Sequence, residues 1–334
     1  MEMYKYLISI VICGLICCQS ALGMGNIVDT AFAVEAQKRG VIIWDVRAAA
    51  DFQKGHIPGA VNIGAAAQAL RNPNTEDFRP VAEVEKILGA AGIDPSKEII
   101  VYSTRGDANA YFGLYTIAYF GGRPSGVYHD GIDGWRAAGL PISTVSAKPV
   151  PVALRLTPNP AVSVDTPQML AARQRGVQLI DARTVPEFSG NDIRAIRGGH
   201  IPGAVNIPFE QNWVDPDTAG KLARKQVADN AGMSLKPVQE LKKLYSALDP
   251  EKETIVYCQS GTRASETAVV LSQLGFKNVK VYEPSWLGYA AVLSAPANNE
   301  TFFNVGALNA RLSAMQQRID QLERELAAEK QRKP

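Results

Sequence analysis

The sequence predicts an α/β protein built from two tandem copies of one domain, each a mostly parallel sheet covered by helices, with a heptad helix behind them. Three observations carry this. The run Gly55-His56-Ile57-Pro58-Gly59-Ala60-Val61-Asn62-Ile63 recurs word for word at residues 199–207. An Asp-x-Arg triplet precedes each copy, Asp45-Val46-Arg47 in one and Asp181-Ala182-Arg183 in the other. Further on, the apolar run Glu98–Ser103 matches Glu253–Cys258 in the same order. Repeats in fixed order over units of roughly a hundred residues mean a duplicated domain. Apolar strands alternating with helical patterns imply parallel pairing under helical cover.

The elements follow in chain order. Lys5, an apolar run over residues 6–18 and the small residues Ala21 and Gly23 make residues 1–23 a secretory signal, with cleavage expected after Gly23. Leu15-Ile16-Cys17-Cys18 also resembles a lipoprotein box, which would lipidate Cys18 and attach the chain to a membrane. Either route exports the protein, to a bacterial periplasm. The first domain spans residues 24–147. Prolines at 149, 151, 158 and 160 and the lack of helical period make 148–162 a linker or interdomain strand. The second domain spans residues 163–300, with an insertion over 190–198 between its Asp-x-Arg and its Gly-His-Ile-Pro. Residues 304–331 close the chain. Val305, Leu308, Leu312, Met315, Ile319, Leu322 and Leu326 step by threes and fours, the seam of a coiled coil that would join copies of the chain. The other reading is an amphipathic helix lying on its own domain, with Phe302 and Phe303 docking its start.

Composition narrows the function. With 46% hydrophobic and 20% charged residues the chain is globular, and a net charge of +2 without a basic, aromatic-laced stripe gives no reason to expect nucleic acid. Three histidines scattered over 334 residues imply no metal site, and no cofactor motif is present. Of four cysteines, Cys258 alone lies outside the N-terminal run. It ends a β-branched strand, and a helix is expected from Ala264 to Leu274 with Ala268, Leu271 and Leu274 on one face. Backbone amides in that turn, the helix dipole and Arg263 favour negative charge at Cys258, which reads as a nucleophile. Gln259, Ser260, Gly261, Thr262 and Arg263 would cradle an anion. In the first copy Ser103 replaces the cysteine with no base near it in sequence, so that copy is expected to do no covalent chemistry and to wall the cleft. His56 and His200 occur in both copies, which favours a structural role.

These motifs, with Val281-Tyr-Glu-Pro-Ser-Trp286, resemble a two-domain rhodanese-like sulfurtransferase of the thiosulfate and 3-mercaptopyruvate group over about residues 26–297. The resemblance implies a Cys258 persulfide that takes sulfur from a small-molecule donor and passes it to a thiol or cyanide. Fold relatives acting on phosphate or arsenate resemble Cys-x5-Arg; here only four residues separate Cys258 and Arg263, a ring suited to one outer sulfur. Cys-Arg-Lys-Gly resembles the thiosulfate branch and Cys-Gly-Ser-Gly the mercaptopyruvate branch, and this loop matches neither. Glu187 stands where relatives often place a donor-binding arginine, and Pro284 replaces a usual glycine. Asp181 and Arg183 are candidates for donor binding or an internal ion pair, and Ser285 and Trp286 for support. A binding or sulfur-carrier module with little turnover is the other reading these residues leave open.

Overall fold

The computed structural model describes residues 24–332. The expected signal, its cleavage point and Cys18 lie outside the described residues. The first domain runs β1 Asn26–Val28, α1 Thr30–Lys38, β2 Ile42–Asp45, α2 Ala49–Lys54, β3 Val61–Asn62 and α3 Ala66–Leu70. It continues with α4 Val81–Ala90, β4 Ile99–Tyr102, α5 Ala108–Tyr119, β5 Gly126–Tyr128 and α6 Gly131–Ala137. The second begins with β6 Ser163–Val164, α7 Thr166–Ala172, β7 Gln178–Asp181, α8 Val185–Phe188, β8 Arg197–His200 and β9 Ala204–Asn206. After α9 Thr218–Ala223 and α10 Val238–Leu244 come β10 Glu253–Tyr257, α11 Thr262–Gln273, β11 Asn278–Tyr282 and α12 Ser285–Ala291. β12 Asn298–Phe302 and α13 Val305–Arg332 follow.

Each domain carries a five-stranded sheet, ordered β1-β5-β4-β2-β3 in the first and β6-β11-β10-β7-β9 in the second. All pairings in both sheets are parallel. The central strands β4 (Ile-Ile-Val-Tyr) and β10 (Glu-Thr-Ile-Val-Tyr) are buried on both faces, which is why they read as continuous rather than alternating apolar runs.

Helix α11 departs from the expected one-sided pattern. It begins at Thr262, two residues before Ala264, and every residue from Ala264 to Leu271 is buried. The cause is the neighbouring domain: α5, itself buried along most of its length, packs directly against α11. One apolar core therefore runs through both domains, from Trp44, Val101 and Phe112 to Val256, Val269 and Leu271. Each fully buried Val or Leu in that seam contributes about 1.5–3 kcal/mol.

The segment 148–162 has no helix or strand but is tied to the first domain. Val152 N–H donates to Gly89 O at 2.9 Å, and Asn159 N–H to Tyr119 O at 2.6 Å. A side chain at Gly89 would meet Val152 O at 2.4 Å, so only glycine permits this approach.

The insertion contributes β8, which pairs antiparallel with β12 in a separate ribbon. That ribbon roots α13, a single helix about 40 Å long. The seam from Val305 to Leu326 is 36–62% exposed, so α13 does not lie on its own domain. The expected docking of Phe302 and Phe303 is also absent: they are 62% and 39% exposed, because β12 carries them past the domain edge.

Candidate functional site

Strand β10 delivers Cys258 to the carboxyl edge of the second sheet, where the thiol is buried. Gly261 then takes φ +89°, a left-handed conformation that turns its N–H back to donate to Cys258 Sγ at 3.2 Å. The early start of α11 places Thr262 and Arg263 in its first turn, where unpaired amides and the positive end of the dipole face the loop.

Three neighbouring elements hold this loop. Cys258 N–H donates to Ser285 Oγ at 3.2 Å, and that hydroxyl donates to Tyr282 O at 2.8 Å. The first amides of α12 reach back: Trp286 N–H donates to Cys258 O and Leu287 N–H to Gln259 O. From the insertion, Arg194 O accepts the Gln259 side chain at 2.6 Å. Ser285 makes its bonds at φ +51°, a conformation that costs a residue with a Cβ on the order of 1 kcal/mol. Trp286 is buried, donates its indole N–H to Arg197 O, and stacks under the Arg183 guanidinium. It shapes the scaffold.

Arg263 was expected to add positive charge to the loop, and in the structure that charge is also paired with a carboxylate. Its two Nη groups each donate to a Glu187 oxygen at 2.7 Å, a bidentate pair. Glu187 is buried, also accepts from Arg194 and Thr184, and caps α8 with Thr184. Burial alone would raise the Glu187 carboxyl, but Arg263 and Thr184 outweigh it and bring it down to about 2. Burial likewise opposes the Arg263 charge, and Glu187 with Cys258 reverses the effect, holding that guanidinium above the ordinary arginine range.

Asp181 and Arg183 form an internal ion pair, with Arg183 Nη2 at 2.6 Å from Asp181 Oδ2 and donating also to Gly199 O. Asp45 and Arg47 repeat it with Gly55 O. Of the two roles expected for Arg183, the geometry favours the internal ion pair: the residue is 1% exposed and its charge is matched by Asp181. His56 and His200 also match between copies, each stacked on a phenylalanine and bonded through Nδ1 to that residue's carbonyl oxygen. In the first domain, Ser103 has a partner that its local sequence did not reveal as a base. It donates to Asp107 Oδ2 at 2.5 Å, but it is fully buried.

Two residues at the loop escaped sequence reasoning. Arg71, just after α3 of the first domain, crosses to the loop. A Cβ at Gly261 would lie 3.0 Å from its Nη2 and 3.0 Å from Glu283 O. Glu283 meets Arg71 as an ion pair, Nη1 to Oε1 at 3.0 Å. No local pattern signals this approach, since it depends on how the two domains pack.

The family described as rhodanese-like domain matches residues 30–138 and 166–291. A thiosulfate sulfurtransferase of Corynebacterium glutamicum is 32% identical over 255 residues, covering 72% of this chain and 79% of that protein. Another, from Azotobacter vinelandii, is 31% identical over 251 residues, 74% of this chain and 86% of that protein. Among solved structures, an anaerobic ergothioneine biosynthesis enzyme from Chlorobium limicola shares the fold. Its TM-score is 0.68 at 21% identity, over 81% of this chain and 69% of that one. With two matched domains in tandem and relatives of this kind along most of its length, the chain belongs to the rhodanese-like family and is a sulfurtransferase.

Proposed function

We propose that this enzyme moves sulfane sulfur from a small anionic donor of the thiosulfate type to a thiophilic acceptor through a persulfide on Cys258. The observation that carries the proposal is the Gly261 N–H aimed at Cys258 Sγ from a turn that opens a twelve-residue helix. The Cys258 thiolate attacks the outer sulfur of the donor, the donor S–S bond breaks, and sulfite leaves with the bonding pair. The Gln259–Arg263 amides then surround a persulfide whose terminal sulfur carries the negative charge, as an oxyanion hole would. A thiol or cyanide attacks that sulfur and releases the Cys258 thiolate. Both steps balance without an oxidant. The two relatives named thiosulfate sulfurtransferase support the donor class; a mercaptopyruvate-like donor is the competing choice, since Gln259 and Ser260 bring no charge.

The test is intact mass spectrometry after incubation with thiosulfate or mercaptopyruvate, followed by cyanide. One added sulfur on Cys258, removed by cyanide, is the expected result. A second reading, a sulfur carrier with little turnover, draws support from the Glu187 carboxylate that neutralises Arg263. Loading at stoichiometric level with no catalytic thiocyanate production would favour it.

Export to a periplasm belongs to the same proposal and rests on the pattern of residues 1–23. Self-association through α13 belongs to it too. In a parallel, in-register pair the positions flanking the seam put Arg318 beside Glu323 and Glu325 beside Lys330 of a second copy, two attractive pairs.

A further inference from the structure

The charges around the loop do not balance as sulfur transfer from an anion requires. Within the second domain, Arg263 is held by Glu187 and Arg183 by Asp181, so each guanidinium already has a carboxylate as its counter-charge. Arg71 differs. It is 4% exposed and sandwiched against Phe78 and Phe112, and its Nη1 contacts Glu76 O and Glu283. Its Nε and Nη2 are buried with no hydrogen-bond partner. Two donors of a guanidinium left bare in the interior are costly unless something meets them. A cavity of about 530 Å³ lies beside Arg71, walled also by Gln68, Asn72 and Glu76 of the first domain and by Thr262 at the start of α11.

We propose that this interdomain cavity is the subsite for the anionic end of the sulfur donor, and that Arg71 of the first domain binds it. The inference rests on the sulfur-transfer reading above and adds the binding residue. The bare Nε–H and Nη2–H groups meet two oxygens of a sulfonate-like group, a bidentate fit that suits arginine. The amide end of α11 adds attraction from the other side. Arg71 Nη2 borders Gly261, whose N–H meets Cys258 Sγ, so one small donor reaches from the guanidinium towards the thiol. The copy without a cysteine thereby supplies recognition for the copy that has one.

Glu283 competes with the ligand for Arg71. Burial raises its carboxyl to about 7 against the opposing pull of Arg71, so a proton on Glu283 near neutrality leaves Arg71 without a counter-charge. Asp77 also acts on Glu283 and raises it further.

The experiment compares the donor concentration giving half-maximal loading of Cys258, read by intact mass, for full-length wild type, R71Q, R71K and E283Q. Two donors are used: dianionic thiosulfate, which leaves one added sulfur on Cys258 as sulfite departs, and an uncharged dialkyl trisulfide, which leaves an alkylthio or alkyldithio group as the alkyl persulfide or thiolate departs. R71Q should raise the thiosulfate value by about 10-fold or more, as loss of charged hydrogen bonds does. R71K should raise it less, and the trisulfide value should stay within about 2-fold, since that donor has no anion for Arg71 to bind. E283Q should lower the thiosulfate value at pH 8, the direction opposite to that of general damage to the interface. Equal shifts for both donors in R71Q, or an E283Q value that rises or stays put, would overturn the subsite. A wild type that loads from neither donor would instead overturn the sulfur-transfer reading, and this inference with it.

Discussion

Glu187 holds Arg263 by two parallel hydrogen bonds of 2.7 Å beneath the cysteine loop. The pair fixes the first turn of α11 to the cap of α8, and it ties part of the acid stability of the protein to one carboxylate. The Glu187 carboxyl lies at about 2 when folded, against an ordinary value of 4.5. A depressed acid stabilises the fold above the higher value and loses that contribution as pH falls towards the lower one. At full strength it is worth about 3 kcal/mol. Urea unfolding of wild type should therefore weaken between pH 4.5 and 2 more steeply than that of Glu187→Gln. Parallel pH profiles for the two would contradict this.

Replacing Cys258 with serine should abolish persulfide formation and turnover while leaving the far-ultraviolet circular dichroism spectrum and the melting temperature close to wild type. The side chains are nearly isosteric, but a hydroxyl is a far weaker nucleophile than a thiolate. Full turnover in Cys258→Ser would sink the covalent mechanism.

Gly261→Ala meets two obstacles at once, the left-handed φ of +89° and the nearness of Arg71 Nη2 and Glu283 O. The backbone term alone costs about 1–2 kcal/mol. Relief of that strain displaces the N–H from Cys258 Sγ, so turnover should fall by about 10-fold or more. A variant with wild-type melting temperature and rate would show that the loop does not need this conformation.

Removing residues 304–334 takes away a helix whose apolar seam is exposed along its length. Light scattering should report a smaller oligomer for the truncated chain. An unchanged mass would mean that α13 does not join copies of the protein.

Much of the fold was legible because it is written twice. The recurrence of Gly-His-Ile-Pro-Gly-Ala-Val-Asn-Ile placed both copies, and the burial of β4 and β10 on both faces explains their unbroken apolar runs. The cysteine loop was legible for the same local reason: strand, turn and helix follow one another within twenty-one residues. What escaped depends on distant segments meeting. The pairing of Arg263 stayed hidden because Glu187 lies seventy-six residues away. Arg71 gave no sign at all, since only the packing of α5 on α11 brings the end of α3 to Gly261. Phe302 and Phe303 misled because two adjacent aromatics suggest a docked end, whereas β12 pairs with the insertion and leaves them outside.

The burial of α11 on its outer side has a consequence for the history of such a chain. Once a duplicated copy leans its own helix on this one, the pair cannot easily be unmade. A second domain released alone would present to water the side of α11 that α5 now covers and tend to aggregate, even with its loop intact. The cysteine-free half is thus tied to its neighbour by solubility as well as by any part in chemistry: a duplicated copy that shares a helix face in this way works as a ratchet, turning a spare copy into an irreplaceable one.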